Sequence, residues 1–292
     1  MKEQFNKGLL FTSLGSFWWG FIGVLYFQYV SFIGHIELVV HRCLWTAVML
    51  ILTTTFLAKW KTFFITISNK KNLVFLFFSG FLIFINWAVW IYAVATERII
   101  DASFGYFIMP IISVLLGYIF FKEKLNKKRF FSIFLVLISI FILIFFNLKS
   151  LPWVGLIVAF SWAFYNLLRK KIKIDTDIGL LIESLYILPF AILAFYLITQ
   201  KGLNNFDISN PGLSLFLILA GPMTVIPLFL YVRGVELIGL GPTGMIFYIT
   251  PTLQFILGYF YYNEEFSIVK FVSFIIIWIA VIIYLKDLYE TN

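Results

Sequence analysis

Apolar runs of about 18–24 residues recur along the whole chain, and no other feature restricts the fold as tightly. At about 1.5 Å of rise per residue, a helix of that length crosses roughly 30 Å of hydrocarbon. The runs lie near 8–29, 36–58, 72–95, 101–121, 130–147, 151–169, 177–199, 212–232, 239–262 and 267–285. They predict an all-α membrane protein with ten transmembrane helices. Helices are the expected form because backbone groups in lipid must find their partners inside the segment. Composition agrees: 62% of the residues are hydrophobic and 12% are charged, against about 45–50% and about 25% in soluble domains. The opening "MKEQFNKGLLFTSLGSFWWGFIGVLYF" has too long an apolar run for a signal peptide and lacks a small-residue cleavage site. It reads as the first span.

The net charge of +8 does not point to nucleic acid. The basic residues sit in short clusters between the apolar runs, as in cytoplasmic loops. With the N-terminus inside, 17 Lys and Arg fall in inside segments and 4 in outside segments, while Arg42 lies within a run. That asymmetry places both termini in the cytoplasm. Cys43 is the single cysteine, so neither an intrachain disulfide nor a thiolate metal cluster can form.

The chain also repeats itself. "IMPIISVLLGYIFFKEKLNKKRF" (108–130) aligns without a gap with "ITPTLQFILGYFYYNEEFSIVKF" (249–271), and "WGF" (19–21) answers "WAF" (162–164). The pairs Pro110 and Pro251, Gly117 and Gly258, and Glu123 and Glu264 match. Residues 1–148 and 149–292 are therefore expected to be two five-helix repeats. Five is odd, so the second copy enters the membrane from the opposite side. Such an inverted-topology repeat is a recurring transporter architecture with its substrate site near mid-bilayer.

The second run carries Glu37, His41 and Arg42. Charge at bilayer depth is costly, so these groups mark either a translocation pathway or a structural ion-pair network. Glu37 and His41 are four apart and share a face that Trp45 continues, whereas Arg42 is turned away by about 100°. Glu183 occupies the corresponding run of the second copy, and both carboxylates are expected to face the interior between the repeats. Asn86, in "NWAVWIY", serves either a ligand or a neighbouring helix. Pro110, Pro251, Pro222 and Pro227 each remove an amide donor within a run, freeing for the first two the carbonyls of Tyr106 and Phe247. Either a cavity-shaping kink or a gating hinge fits. Tyr165 and Tyr248 offer hydroxyls and ring faces to a ligand, or plain packing. Glu123 and Glu264 read as loop structure, with Asn126 and Ser267 as helix N-caps.

The segments "ELVVHRCLW", "NWAVWIYAV", "DASFGYFIMPIISVLLGYIFFKEKL", "GLLIESLYILPFA" and "YITPTLQFILGYFYYNEEFS" together resemble the RarD proteins, of the EamA group in the drug/metabolite transporter superfamily. The resemblance covers essentially the whole chain. It implies ten helices in an inverted repeat, a bacterial inner-membrane location and alternating access to a central cavity. The family's membrane motifs fall on Glu37, His41, Arg42, Asn86 and Trp87, and its second-half glutamate on Glu183. Met109 stands where the family usually has the asparagine of an Asn-Pro pair, and Gln28 where it usually has a lysine.

The leading function is secondary transport of a small polar or zwitterionic metabolite, amino-acid-like or drug-like. Glu37, His41, Arg42, Asn86, Trp87, Tyr106, Tyr165, Glu183 and Tyr248 are the candidate binding or translocation residues. No nucleotide-binding loop is present, no cofactor or metal is expected, and a proton is the expected coupling ion. A monomer is expected to suffice, with an oligomer as the alternative, in contact with membrane lipids. The alternative is a polytopic membrane enzyme acting on a lipid-linked substrate. Such enzymes cluster their acids at a membrane face, whereas the acids here are scattered.

Overall fold

The computed structural model describes residues 2–95, 99–147, 153–172, 174–261 and 267–291, and these contain helices and connecting turns but no strand. Helix α1 (Lys2–Phe17) continues through a π-helical turn (Trp18–Gly23) into α2 (Val24–Tyr29). There follow α3 (His35–Phe56), α4 (Trp60–Ile67), α5 (Lys70–Ala95), α6 (Ile99–Phe121) and α7 (Lys127–Asn147). The second half comprises α8 (Trp153–Lys171), α9 (Thr176–Gln200), α10 (Pro211–Ile238), α11 (Leu240–Ile246), α12 (Ile249–Phe260) and α13 (Ile268–Thr291). Among the described residues, 7 helices are long and apolar enough to cross a membrane. The chain is a multi-pass membrane protein.

Large side chains cover its outside. Phe131, Phe134, Phe141 and Phe145 stand exposed along α7, where hydrocarbon rather than water is the compatible solvent. The two halves pack mainly on each other. Helix α1 lies along α10, α8 packs on α5 and α6, α3 on α9 and α10, and α7 on α13. Small residues permit the closest approaches: a Cβ on Gly15 would meet the Pro227 carbonyl oxygen at 2.9 Å.

Local expectations fared unevenly. Asn126 caps α7 by accepting from the Arg129 amide (3.0 Å), and Ser267 does so for α13 from the Lys270 amide (3.3 Å). The segment 59–71, expected as a loop, contains α4, whose Phe63 and Thr66 are buried and whose Phe64 and Ile65 are exposed. The prolines behave differently from one another. Helix α6 stays continuous through Pro110, and α10 through Pro222 and Pro227. In the second copy the chain does break, at Phe247–Tyr248, just before Pro251. Pro251 is the third residue of α12, where an amide would have no intrahelical partner, so it opens a helix instead of kinking one. The Phe247 carbonyl is not left free; it accepts from the Thr250 amide at 2.9 Å. Glu264 lies outside the described residues.

Candidate substrate-binding site

A cavity opens between the halves. Its walls come from the π-helical turn and α2 (Trp19, Gly23, Val24, Phe27), from α3 (Arg42), α5 (Asn86, Trp87, Trp90) and α6 (Tyr106). The second half supplies Trp162 of α8, Phe247 at the α11–α12 break, and Thr250 and Gln254 of α12. Two interruptions of regular helix therefore face each other across it, as expected where backbone lines a cavity instead of lipid. Gly20 brings them together: a Cβ there would meet the Thr250 carbonyl oxygen at 2.9 Å. The floor is aromatic. Trp19 meets Trp162 edge-on at 5.2 Å and lies 5.6 Å from Tyr231, and Tyr106 lies 5.7 Å from Phe247.

Arg42 is the charged residue of this wall among the described residues. It is only 6% exposed. Its Nε donates to Thr224 Oγ1 at 3.0 Å, and its guanidinium lies 4.6 Å from the Trp87 ring and 5.1 Å from the Phe27 ring. Among the described residues no carboxylate pairs with it. Asn86 turns its amide nitrogen away from the cavity, donating to the Val158 carbonyl (2.9 Å) and Ser161 Oγ (3.1 Å), and so ties α5 to α8.

Glu37 and His41 share a face as expected, but that face meets the α9–α10 connection and not the cavity. Both are buried. Glu37 accepts from the Asn205 backbone amide (2.5 Å) and from Asn205 Nδ2 (2.7 Å). His41 Nδ1 accepts from Trp45 Nε1 at 3.2 Å. A neutral His41 therefore carries its proton on Nε2, which lies 3.6 Å from Glu37 Oε1. Phe206 packs on the His41 ring at 5.3 Å. The roughly 100° between His41 and Arg42 thus separates a loop clamp from the cavity wall.

Glu183 forms a second buried centre. Ser79 Oγ donates to its Oε1 (2.5 Å), Tyr165 donates to its Oε2 (3.2 Å), and Arg169 Nη1 stands 3.6 Å away. Arg169, only 1% exposed, also donates to the Thr176 carbonyl (3.1 Å) and lies 3.9 Å from Glu236. Tyr165 stacks on Trp162 at 5.5 Å, so this centre sits directly behind the cavity's aromatic floor. Tyr248 is buried away from the cavity and donates to the Phe107 carbonyl (2.8 Å), beside the Pro110 turn of α6. Glu123 does more than shape a loop. It accepts from the Leu240 and Gly241 amides (both 2.9 Å) at the start of α11 and pairs with Lys170 (2.8 Å).

Of the nine residues expected to bind or translocate substrate, Arg42, Asn86, Trp87 and Tyr106 line the cavity. Glu37, His41, Tyr165, Glu183 and Tyr248 do not. Trp19, Phe27, Trp90, Trp162, Thr250 and Gln254 were not foreseen there. A signal existed for two of them, since the "WGF" and "WAF" match aligns Trp19 with Trp162, the pair that meets across the floor.

The fold and cavity define a helical, multi-pass membrane protein with a central cavity between two packed halves. The chain matches the model of the EamA-like transporter family twice, over residues 6–145 and 150–286, and it belongs to that family, among the RarD proteins. It is 34% identical over 282 residues to the "Uncharacterized transporter YojE" of Bacillus subtilis, covering 96% of this chain and 93% of that one. It is 31% identical over 290 residues to "Protein RarD" of Escherichia coli, covering 99% and 97%. A solved structure titled "Crystal structure of protein" superposes with a TM-score of 0.71 at 13% identity, covering 95% of this chain and 96% of that one. That likeness bears on the fold alone.

Proposed function

We propose that this protein is a secondary active transporter that moves a small polar metabolite, amino-acid-like or drug-like, across the bacterial inner membrane by alternating access. The observation that carries the reading is the cavity between the halves, walled by both and holding one buried cation. The family model and the Bacillus subtilis relative carry transporter names, which favours transport over an enzyme acting on lipid-linked substrates.

An inverted repeat with units 1–148 and 149–292 is supported by the pattern of packing. Let α1–α2 correspond to α8, α3 to α9, α5 to α10, α6 to α11–α12, and α7 to α13. Exchanging the halves then turns the α1–α10 contact into α8–α5, α6–α8 into α12 with the π-helical turn, and α3–α10 into α9–α5. The contacts α3–α9, α6–α11 and α7–α13 map onto themselves, as contacts on a two-fold axis must. Leaving out the short α4 and counting α1–α2 and α11–α12 as one rod each gives ten traverses, an even number that puts both termini on one side, proposed to be the cytoplasmic one. The same end gathers the pairs between halves: Glu123–Lys170, Lys59–Asp177 (2.7 Å) and Arg129–Asp287 (2.8 Å). In this reading these pairs hold the cytoplasmic side together and would part when the cavity opens inward. A proton is the proposed coupling ion, and Glu183, behind the floor with Tyr165 and Arg169, is the carboxyl group placed to carry it. A monomer is the proposed unit, since residues from both halves of one chain line the cavity.

The test is flux in proteoliposomes across a metabolite panel, with and without a pH gradient. Saturable uptake lost on replacing Trp87 with Ala is expected. Flux no faster than in empty liposomes for every solute, from protein that is folded and inserted, would refute the reading.

A further inference from the structure

We infer that the cavity binds a monoanionic organic carboxylate with an apolar or aromatic body, held by Arg42. This rests on reading the cavity as the substrate site. Arginine does not lose its proton in proteins, so Arg42 brings a full positive charge into a membrane interior. An isolated cation there is costly unless paired. The contacts present go only part of the way. Thr224 takes the Nε proton, and the Trp87 and Phe27 rings cover the guanidinium, an attraction that strengthens on desolvation but falls short of an ion pair. The two terminal nitrogens have no hydrogen-bond partner among the described residues, although Arg42 is buried. They face the cavity.

That arrangement selects a ligand. With Nε engaged by Thr224 and two rings against it, the guanidinium keeps a fixed orientation and offers its remaining donors edge-on. Two parallel N–H groups suit a carboxylate held by two hydrogen bonds. One guanidinium and no lysine in the described wall balance one negative charge, which fits a carboxylate better than a phosphate dianion. No carboxylate among the described lining residues offers a partner to a ligand ammonium, so a net anion fits better than a zwitterion. The remaining wall, Trp19, Trp90, Trp162 and Phe247, takes an apolar body.

The experiment is calorimetric titration of the purified full chain with phenylacetate, its neutral isostere phenylacetamide, benzylamine and phenylalanine. Phenylacetate is expected to bind roughly tenfold or more tighter than phenylacetamide, the ratio that one charge-assisted hydrogen bond supplies. Arg42→Gln should bring that ratio close to one, by weakening phenylacetate far more than phenylacetamide. If Arg42→Gln does not fold, the wild-type ratio alone decides. Equal affinity for acid and amide, or tighter binding of benzylamine or phenylalanine, overturns the inference. Flux separates it from the transport reading. Carboxylate binding without flux of any solute removes the transporter and leaves this inference standing. Flux of another solute with no preference for carboxylates does the reverse.

Discussion

Replacing Glu37 with Gln separates a pathway carboxylate from a loop clamp. In the structure both carboxylate oxygens accept from Asn205, one from the backbone amide and one from Nδ2. Glutamine keeps one acceptor and turns an NH2 toward the other donor. One hydrogen bond to a charged group is lost, at about 1.5–3 kcal/mol, and a buried donor is left facing a donor. His41, whose Nε2 lies 3.6 Å from Glu37 Oε1, loses the neighbouring negative charge as well. The expected destabilisation is about 2–4 kcal/mol, or roughly 5 °C in melting temperature for a chain of this size. Glu37 does not line the cavity, so ligand affinity in the surviving protein should stay within about twofold of wild type, close to the limit of distant, independent sites. The assay is thermal unfolding in detergent, with titration of a cavity ligand on the same sample. Asn205→Ala should reproduce part of the melting loss, because it removes the side-chain donor but not the backbone one. An unchanged melting temperature with lost binding or altered pH dependence of flux would refute the clamp and return Glu37 to the pathway.

Three further outcomes are expected. On a Cys43→Ala background, a cysteine at Leu125 should resist an impermeant thiol reagent in intact cells; ready labelling would overturn both the cytoplasmic placement and the inverted repeat. Gly20→Ala should lower the melting temperature by the equivalent of about 1–3 kcal/mol and weaken cavity binding, because its Cβ would crowd the Thr250 carbonyl; a variant normal in both would show that the α1–α12 approach is loose. At Lys59, burial works against the charge, but the hydrogen bond and charge of Asp177 and the charge of Asp175 outweigh it and raise the pKa. A raised cationic pKa gives stability that is complete below the ordinary lysine range and is lost as pH rises through the raised value. The stability gap between wild type and Lys59→Met should therefore be constant at neutral pH and shrink in strongly alkaline buffer; a gap that grows with alkalinity would contradict the pairing.

Much of this protein is legible without coordinates, because the rules involved are local or periodic. Long apolar runs must become helices in lipid, since each backbone donor and acceptor needs a partner within its own segment. The match between residues 108–130 and 249–271 is read directly from the letters. The helical period correctly turned Arg42 away from Glu37 and His41. What the period cannot supply is the neighbour standing in each direction. Only packing put Asn205 against Glu37 and the cavity against Arg42. Only packing drew Arg169, which reads as one more basic residue of a cytoplasmic loop, into the buried pair with Glu183. Pro110 and Pro251 look alike in the aligned segments, yet one sits inside a continuous helix and the other opens a new one. Their difference is set by the residues before them, where the chain breaks at Phe247–Tyr248 to wall the cavity. Such choices depend on contacts between residues a hundred or more positions apart, such as Glu37 with Asn205 and Ser79 with Glu183. No window of sequence contains both partners, so the tertiary structure alone decides which charges meet each other and that Arg42, among the described residues, meets no carboxylate.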